Sequence, residues 1–186
     1  TRIRRSRNLK KVVFIFTIIG LISCKNKVIQ YPVEYENDRA KFMEFSQDIN
    51  KMILNEDNEL IEYYIEDSDQ QFVKTSFGFW ISNQGKPTES MASLGDIIKY
   101  EYEVMDFEEK IIYSKEENGI KQIILGKENL PRGLHASLQL IEEGDSATAL
   151  YPSFLAYGGY GDQNKVGSNM PLIFKMKVLD IQKKEK

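Results

Sequence analysis

The chain has 186 residues, of which 41% are hydrophobic and 28% are charged, and this composition is that of an ordinary globular protein. The formal net charge is -3, but residues 1–23 hold six basic residues and no acidic one, so residues 24–186 carry 19 Lys and Arg against 28 Asp and Glu, a net charge of -9. An acidic body of this kind excludes nucleic acid and anionic headgroups as electrostatic partners, because binding phosphate requires a basic face.

The first 23 residues have the pattern of a secretory signal peptide. A basic segment precedes an apolar run from Val12 to Ile22, which is too short to span a bilayer. The run ends in Leu21-Ile22-Ser23-Cys24, which resembles the bacterial lipobox and implies that Cys24 carries lipid and attaches the chain to a bilayer. Cys24 is the only cysteine, so no intramolecular disulfide can form. The alternative is a chance apolar run followed by an unmodified cysteine.

Residues 24–37 are polar and are expected to form a tether between the lipid and the folded part. Residues 38–67 are expected to be helical, since apolar side chains recur there at three- and four-residue steps, as in an amphipathic helix. Asp38 is a candidate N-cap, and residues 55–58 are a candidate break between two helices. The apolar stripe contains Phe42, Phe45, Ile49, Met52 and Ile53. It either packs on its own domain or joins two copies as a homodimer through residues 38–66, and the sequence leaves both alternatives open.

The rest of the chain alternates between apolar and polar residues with the period of a half-buried β-strand. The clearest example is the segment in which Ile98, Tyr100, Tyr102 and Val104 share one face. In all, the alternation predicts strands at Phe72 to Ile81, Ile97 to Val104, Ile111 to Ser114, Ile120 to Gly126, Ser146 to Pro152 and Pro171 to Ile181.

One short helix is predicted between two of these strands. It starts at residues 131–133, and Leu134, Leu138 and Ile141 form an apolar stripe over two to three turns. A helix this short is marginal by itself and must pack on a larger surface. The predicted fold class is therefore α+β, with an antiparallel sheet of five or six strands wrapped around one short helix and preceded by an N-terminal helical segment.

The usual constellations of covalent, phosphate or metal chemistry are missing from the sequence. The only histidine is His135, and no cysteine follows Cys24, so no nucleophile-base pair stands out. No phosphate-binding glycine loop and no set of zinc ligands at useful spacing occurs. We therefore expect neither a metal nor a cofactor.

A series of short motifs follows in a fixed order: L-G-K at 125–127, L-P-R-G-L at 130–134, E-E-G-D at 142–145, Y-P-S-F-L-A-Y-G-G-Y-G at 151–161 and N-M-P-L-I-F at 169–174. In this order the chain resembles the FKBP family of peptidyl-prolyl isomerases, over about residues 72–181. The resemblance implies an FKBP-like domain at 72–183 that acts on X-Pro segments of client proteins.

Such an isomerase needs none of the missing groups. Rotation about the peptide bond is opposed by resonance, with a barrier of ~20 kcal/mol, and no covalent bond must be made or broken. Whatever favours the twisted amide over the planar one accelerates the reaction. A dry apolar pocket does so because the planar amide is the more polar form, and a hydrogen-bond donor near the amide helps further.

The resemblance also assigns site residues. It implies that four residues contribute to catalysis, namely Tyr157, Phe174, Tyr102 and Leu134. It implies that six more contact the substrate, namely Ile112, Tyr113, Ile123, Leu130, Pro131 and Val166. The Tyr157 hydroxyl, or the backbone near Pro131, is expected to bond the peptide carbonyl. For each of these side chains the alternative is plain core packing.

Three positions depart from the family pattern. Tyr113 stands where the family commonly has an Asp, Leu134 stands where many members have a Trp, and Gly167-Ser168 replace a pair of prolines. The first departure matters most, since it removes a carboxylate near the peptide carbonyl. Two hypotheses follow: an active isomerase that helps secreted or envelope proteins to fold, or a binding module that scaffolds an envelope complex with little turnover.

The combination of lipobox, helical spacer and isomerase domain is similar to the gliding-motility-associated isomerases of Bacteroidetes. This similarity implies a protein anchored by lipid in the bacterial cell envelope and facing the periplasm.

Overall fold

The computed structural model describes residues 35–83 and 90–185. The predicted signal peptide, Cys24 and the tether as far as residue 34 lie outside the described residues. Within the part that is described, none of the helices is both long enough and apolar enough to cross a membrane.

The N-terminal segment is a single helix, α1, which runs for 33 residues from Tyr35 to Asp67. It begins before Asp38, so Asp38 lies inside the helix and is not its N-cap. The predicted break at residues 55–58 is wrong, because the helix is continuous there. A physical reason is visible at Asp57, whose side chain is buried and accepts hydrogen bonds from Ser153. Tertiary contacts thus override a locally weak helix sequence.

The predicted α+β fold class is confirmed, with seven strands in one antiparallel sheet. The strand order is β1-β2-β6-β7-β3-β4, and β5 also pairs with β3. The strands are β1 Phe72–Lys74, β2 Trp80–Ser82, β3 Ile97–Met105, β4 Ile111–Tyr113, β5 Lys121–Ile124, β6 Ser146–Tyr151 and β7 Leu172–Gln182.

The seventh strand arises because the predicted strand from Phe72 to Ile81 is a hairpin. β1 and β2 pair antiparallel, with Val73 opposite Ile81. Thr75 closes the turn, since its hydroxyl donates to the carbonyl of Phe79 at 2.9 Å. Gly78 takes a φ of +90°, which suits glycine and breaks the strand at this point.

Two short helices connect the strands. α2, Lys115–Asn118, is capped by Ser114, and α3, Arg132–Ser137, has six residues. The helix α3 is shorter than the predicted two to three turns, because the chain tightens into i to i+3 hydrogen bonds from Ala136 and Ser137 onward. Leu138 and Ile141 are fully buried, as the stripe predicts, but lie beyond the helix end.

Apolar clusters cover both faces of the sheet. The larger cluster lies between the sheet and α3 and includes Leu134 and Phe174. The smaller one joins Ile61 of α1 to Trp80, Leu150 and Ile173. The strand β6 is therefore buried on both faces from Ala147 to Tyr151 and is not half-buried as predicted. The helix α1 supplies the second cover that the alternating pattern could not reveal.

Candidate functional site

The structure brings nine of the ten predicted site residues into or against one apolar cluster. Leu134, Val166 and Phe174 belong to the buried cluster, and six partly buried residues pack against it: Tyr102, Ile112, Tyr113, Ile123, Leu130 and Tyr157. Pro131 is not part of this cluster. It is the N-cap residue of α3, and its carbonyl accepts a hydrogen bond from the N–H of His135.

Aromatic rings form the centre of this cluster. Tyr102 of β3 and Phe174 of β7 stack with ring centroids 5.9 Å apart and planes at 3°. They meet because Val104 pairs with Phe174 and Tyr102 pairs with Met176, which makes Tyr102 and Phe174 diagonal neighbours on one face of the sheet. Tyr151 continues the array, 4.9 Å from Phe174.

The helix α3 packs closely on this array. A Cβ at Gly133 would lie 2.7 Å from the ring of Tyr151, so only glycine fits at that position. Leu134 beside it is fully buried, as is Phe174. These two residues support the site from behind, while the partly exposed surface belongs to Tyr102, Ile112, Ile123, Leu130 and Tyr157.

Tyr157 lies at the edge of this surface, on the segment that follows β6. Among the described residues its hydroxyl has no hydrogen-bond partner. Burial raises the pKa of the Tyr157 phenol well above its usual value, and the nearby Tyr102, Asp162 and Tyr113 raise it further. The hydroxyl therefore keeps its proton at neutral pH and is available as a donor.

The segment that carries Tyr157 is held by tight backbone contacts. It consists of two short 3₁₀ turns, Ser153–Leu155 and Gly158–Tyr160. Gly161 follows with a φ of +63°, and a Cβ there would collide with the backbone carbonyl of Val166. The N–H of Asn169 donates to the carbonyl of Gly158 at 2.9 Å. These contacts fix where the Tyr157 side chain can point.

The departure at Tyr113 does not leave the site without a carboxylate. The Tyr113 hydroxyl donates to the carboxylate of Asp162, 49 residues further along the chain, and accepts from the Asn164 side-chain amide at 3.0 Å. A carboxylate therefore lies beside Tyr113 in the folded chain, supplied by Asp162 from the segment after Tyr157. Asp162 also contributes to the raised pKa of Tyr157, so the two groups are close.

Backbone donors stabilise Asp162 as an anion. Burial by itself would raise its pKa, but the hydrogen bonds from Tyr113 and from the N–H groups of Val166 and Asn164 hold the pKa below the usual range. Lys165 closes the contact between the two segments, since its ammonium lies 4.8 Å from the Tyr113 ring centroid and 3.3 Å from the Ile112 carbonyl oxygen. We call Tyr113, Asp162, Asn164 and Lys165 the rim clasp.

Two residues were missed at the sequence level. Tyr100 lies next to Tyr102, with ring centroids 5.7 Å apart, and burial together with Tyr102 and Tyr157 raises its pKa. The alternation in β3 had placed Tyr100 on the correct face but gave it no role. Asp162 left no signal, because its contact with Tyr113 joins two loops that periodicity does not describe.

Two open cavities of the described residues, each of about 610 Å³, do not coincide with this cluster. One of them is bounded by Gln70, Asn83 and Lys175, among others, and contains none of the ten predicted residues. The described residues that line this cavity include no aromatic hydroxyl without a hydrogen-bond partner. The Tyr157 cluster combines such a hydroxyl with an apolar surface. The Tyr157 cluster is therefore the better candidate site on chemical grounds.

Residues 88–179 match the family model of the FKBP-type peptidyl-prolyl cis-trans isomerases. No curated protein matches the chain significantly. Among solved structures, a peptidyl-prolyl cis-trans isomerase from Pseudomonas syringae is similar, with 16% identity and a TM-score of 0.57, over 72% of this chain and 96% of that protein. FkpA from Escherichia coli is similar with 18% identity and a TM-score of 0.56, over 92% of this chain and 82% of that protein. At these identities the structural likeness establishes the fold, which is FKBP-like. The isomerase activity rests on the family model, which matches residues 88–179.

Proposed function

We propose that this chain, which contains an FKBP-type peptidyl-prolyl cis-trans isomerase domain, helps secreted or envelope proteins to fold from a lipid anchor in the bacterial cell envelope. The observation that carries the proposed site is the Tyr157 hydroxyl, which has no partner among the described residues and lies beside the stacked rings of Tyr102 and Phe174. That arrangement offers a twisted amide both an apolar surface and a donor.

The proposed mechanism uses desolvation and one hydrogen bond. The proline ring of the client lies against Tyr102 and the exposed edges of Ile112, Ile123 and Leu130, which removes water from the amide. The planar amide loses more by this than the twisted one, because it is more polar. The Tyr157 hydroxyl donates to the carbonyl of the residue before proline and fixes it while the bond rotates.

The remaining predicted residues have supporting roles in this proposal. Leu134, Val166 and Phe174 are buried behind the contact surface and keep it dry. Pro131 borders the surface at the start of α3, and Tyr113 acts through the rim clasp. The assignment of these residues is a proposal that rests on the cluster that nine of the ten share and, for Pro131, on the family's motifs.

A protease-coupled assay on a short X-Pro peptide tests the function. The uncatalysed step takes tens to hundreds of seconds, and we expect the full chain to shorten it in proportion to its concentration. Phe174→Leu should reduce the rate because it breaks the stacked pair with Tyr102. Phe77→Leu, at an exposed phenylalanine outside the cluster, is the matched control and should leave the rate unchanged.

The second candidate is an FKBP-like binding module with little turnover, which the departure at Tyr113 favours. It predicts that the peptide binds, as seen by chemical-shift changes, while its cis-trans rate stays at the uncatalysed value. The rim clasp favours the enzyme, because Asp162 supplies a carboxylate beside the Tyr113 hydroxyl.

The proposed anchor is a lipid on Cys24. Several acyl chains on one cysteine would hold the chain stably at a membrane, whereas a single chain binds marginally. Metabolic labelling with palmitate in a bacterial host should mark the wild-type chain and not Cys24→Ser, and the variant should leave the membrane fraction. Equal labelling of both would overturn the anchor. A role in gliding motility is part of the same proposal and rests on the resemblance alone.

We also propose that α1 joins two copies of the chain. Its N-terminal half exposes a row of large apolar side chains: Phe42 at 67%, Phe45 at 62%, Ile49 at 39% and Met52 at 61%. An exposed apolar row of this size often marks a surface that contacts another protein. Sedimentation of the full chain should give a dimer, and Phe42→Ser with Phe45→Ser should give a monomer. Leu94→Ser, at another exposed apolar residue, is the control.

A further inference from the structure

One carboxylate of α1 is buried against the segment that carries Tyr157. Asp57 is only 4% exposed. Its Oδ2 atom accepts two hydrogen bonds from Ser153, one from the backbone N–H at 2.8 Å and one from the hydroxyl at 2.6 Å. Among the described residues no cation forms an ion pair with Asp57. Burying a carboxylate is costly, so these two bonds must offset most of that cost.

Ser153 is the residue at which the Tyr157 segment leaves the sheet. It follows Pro152 at the end of β6 and starts the first 3₁₀ turn, and its carbonyl accepts from the N–H of Ala156 at 3.1 Å. Its N–H and hydroxyl are both directed to Asp57. Asp57 thus fixes the start of a turn that ends shortly before Tyr157.

The two hydrogen bonds to Asp57 lie at the edge of a cleft between α1 and this segment. The cleft has a volume of about 370 Å³ and is bounded on the helix by Ile53 and Leu54 and on the segment by Phe154, Gly158 and Gly159. Leu155 and Ala156 hold the segment on its other side, where they are buried in the larger cluster. On the side of α1, the bonds to Asp57 fix the position of Ser153.

We infer that Asp57 is a positioning residue for the isomerase reaction: it holds Ser153, and through it the Tyr157 hydroxyl, in place over the apolar surface. This inference rests on the proposed role of Tyr157. With this role for Asp57, the helix α1 is part of the active site and not only a spacer. A displacement of about 1 Å at a reacting group can cost up to ~100-fold in rate, so a lost anchor should be measurable.

The test compares Asp57→Asn with Asp48→Asn in the full chain. The two changes are chemically the same and lie on the same helix, but Asp48 is exposed and forms an ion pair with Lys51 at the surface. Both bonds from Ser153 reach one oxygen, so the side-chain amide of Asp57→Asn can still accept them, but its neutral oxygen holds each donor more weakly than the carboxylate does. We expect kcat to fall by about tenfold with KM nearly unchanged in Asp57→Asn, within the ~100-fold limit above, and no change in Asp48→Asn.

A double-mutant cycle separates positioning from general destabilisation. If Asp57 acts through Tyr157, Asp57→Asn should have little further effect on kcat in the Tyr157→Phe background. An equal loss in both backgrounds would overturn the inference, as would wild-type kcat in Asp57→Asn. Ser153→Ala, which keeps the N–H bond and removes the hydroxyl bond, should give a smaller loss of the same kind.

The ring signals of Tyr157 give a readout that needs no activity. In a sample labelled at tyrosine, Asp57→Asn should shift or broaden the Tyr157 ring resonances and leave the exposed Tyr160 unchanged. If the wild-type chain proved inactive on every X-Pro peptide, the proposed function would fail. The positioning role would fail separately if the Tyr157 signals were the same in the wild type and the variant.

Discussion

The chemistry of the site depends on how individual side chains are paired. Tyr113 and Tyr157 are both phenols beside the same apolar cluster, but their hydroxyls are partnered differently. The Tyr113 hydroxyl donates to Asp162 and accepts from Asn164, so both its capacities are used. The Tyr157 hydroxyl has no partner among the described residues and can serve a substrate. The two tyrosines therefore differ in the hydrogen bonds of their hydroxyls, and this difference makes Tyr157 the proposed catalytic residue.

Removing the Tyr113 hydroxyl should weaken the rim clasp. In Tyr113→Phe the ring can still face Lys165, but Asp162 loses a donor, so its pKa should rise toward the usual value for an aspartate. A carboxyl titration by NMR would measure this shift, and kcat/KM on an X-Pro peptide should fall a few-fold. Tyr160→Phe, at an exposed tyrosine of the same segment, is the control. An unchanged Asp162 pKa would show that the hydrogen bond contributes nothing.

The pKa of Tyr157 predicts how activity depends on pH. Burial raises it above the ordinary phenol value of 10.0, so the hydroxyl stays protonated throughout the neutral range. We expect kcat to be flat between about pH 6 and pH 9, since a raised phenol pKa moves the loss of the donor to higher pH. A fall in kcat centred below pH 9 would contradict this account of the donor.

At the scale of elements, α1 serves two surfaces. Its C-terminal half covers the outer face of the sheet through Ile61, Tyr64 and Ile65, and its N-terminal half exposes Phe42 and Phe45. The sequence pattern showed one apolar stripe and could not divide it, because periodicity indicates which face is apolar and not what covers it. The structure places apolar side chains of the second half in the core and leaves those of the first half exposed.

The cover of the sheet by α1 should contribute to stability. Ile61 is fully buried in the smaller cluster, so Ile61→Ala should lower the free energy of unfolding by about 2–5 kcal/mol, the usual range for such a truncation in a core. Leu60→Ala, one residue away and 42% exposed, should lower it far less. Urea unfolding followed by the fluorescence of Trp80, which belongs to the same cluster, would measure both. Equal losses would show that α1 does not pack as described.

For the whole molecule, a buried aspartate links the C-terminal segment to the sheet. Asp96 accepts from the N–H groups of Lys184 and Ser93, both at 2.9 Å, and pairs with Lys183 at 3.3 Å. Burial by itself would raise its pKa, but these partners lower the pKa below the usual value. A carboxylate with a lowered folded-state pKa stabilises the fold above its unfolded pKa of ~4 and loses that contribution as the pH falls further.

The stability of the chain should therefore decrease as the pH is lowered through about 4. Asp96→Asn should be less stable at pH 7 and should lose part of this acid dependence, because the group that titrates is gone. Asp145→Asn, at an exposed aspartate, is the control and should keep the dependence. Thermal unfolding between pH 3 and pH 7 would measure it. Identical pH profiles for the wild type and Asp96→Asn would remove Asp96 from the explanation.

The sequence predicted the features that depend on neighbouring residues and missed those that depend on residues far apart in the chain. The alternation in Ile97–Met105 and Leu172–Gln182 predicted the two central strands and their buried faces, since a strand's period is a local property. The motif order predicted the isomerase, which the family model supports over residues 88–179. The bonds from Tyr113 to Asp162 and from Ser153 to Asp57 span 49 and 96 residues. No local pattern specifies such pairs, so only the folded structure could show them.

The most direct test of the proposed isomerase site is the rate of cis-trans exchange of an X-Pro peptide, measured by NMR with the wild-type chain and with Tyr157→Phe. We expect the wild type to accelerate exchange at catalytic concentrations and the variant to bind the peptide but lose most of the acceleration. Exchange at the uncatalysed rate with the wild type, or undiminished acceleration by Tyr157→Phe, would contradict this proposal.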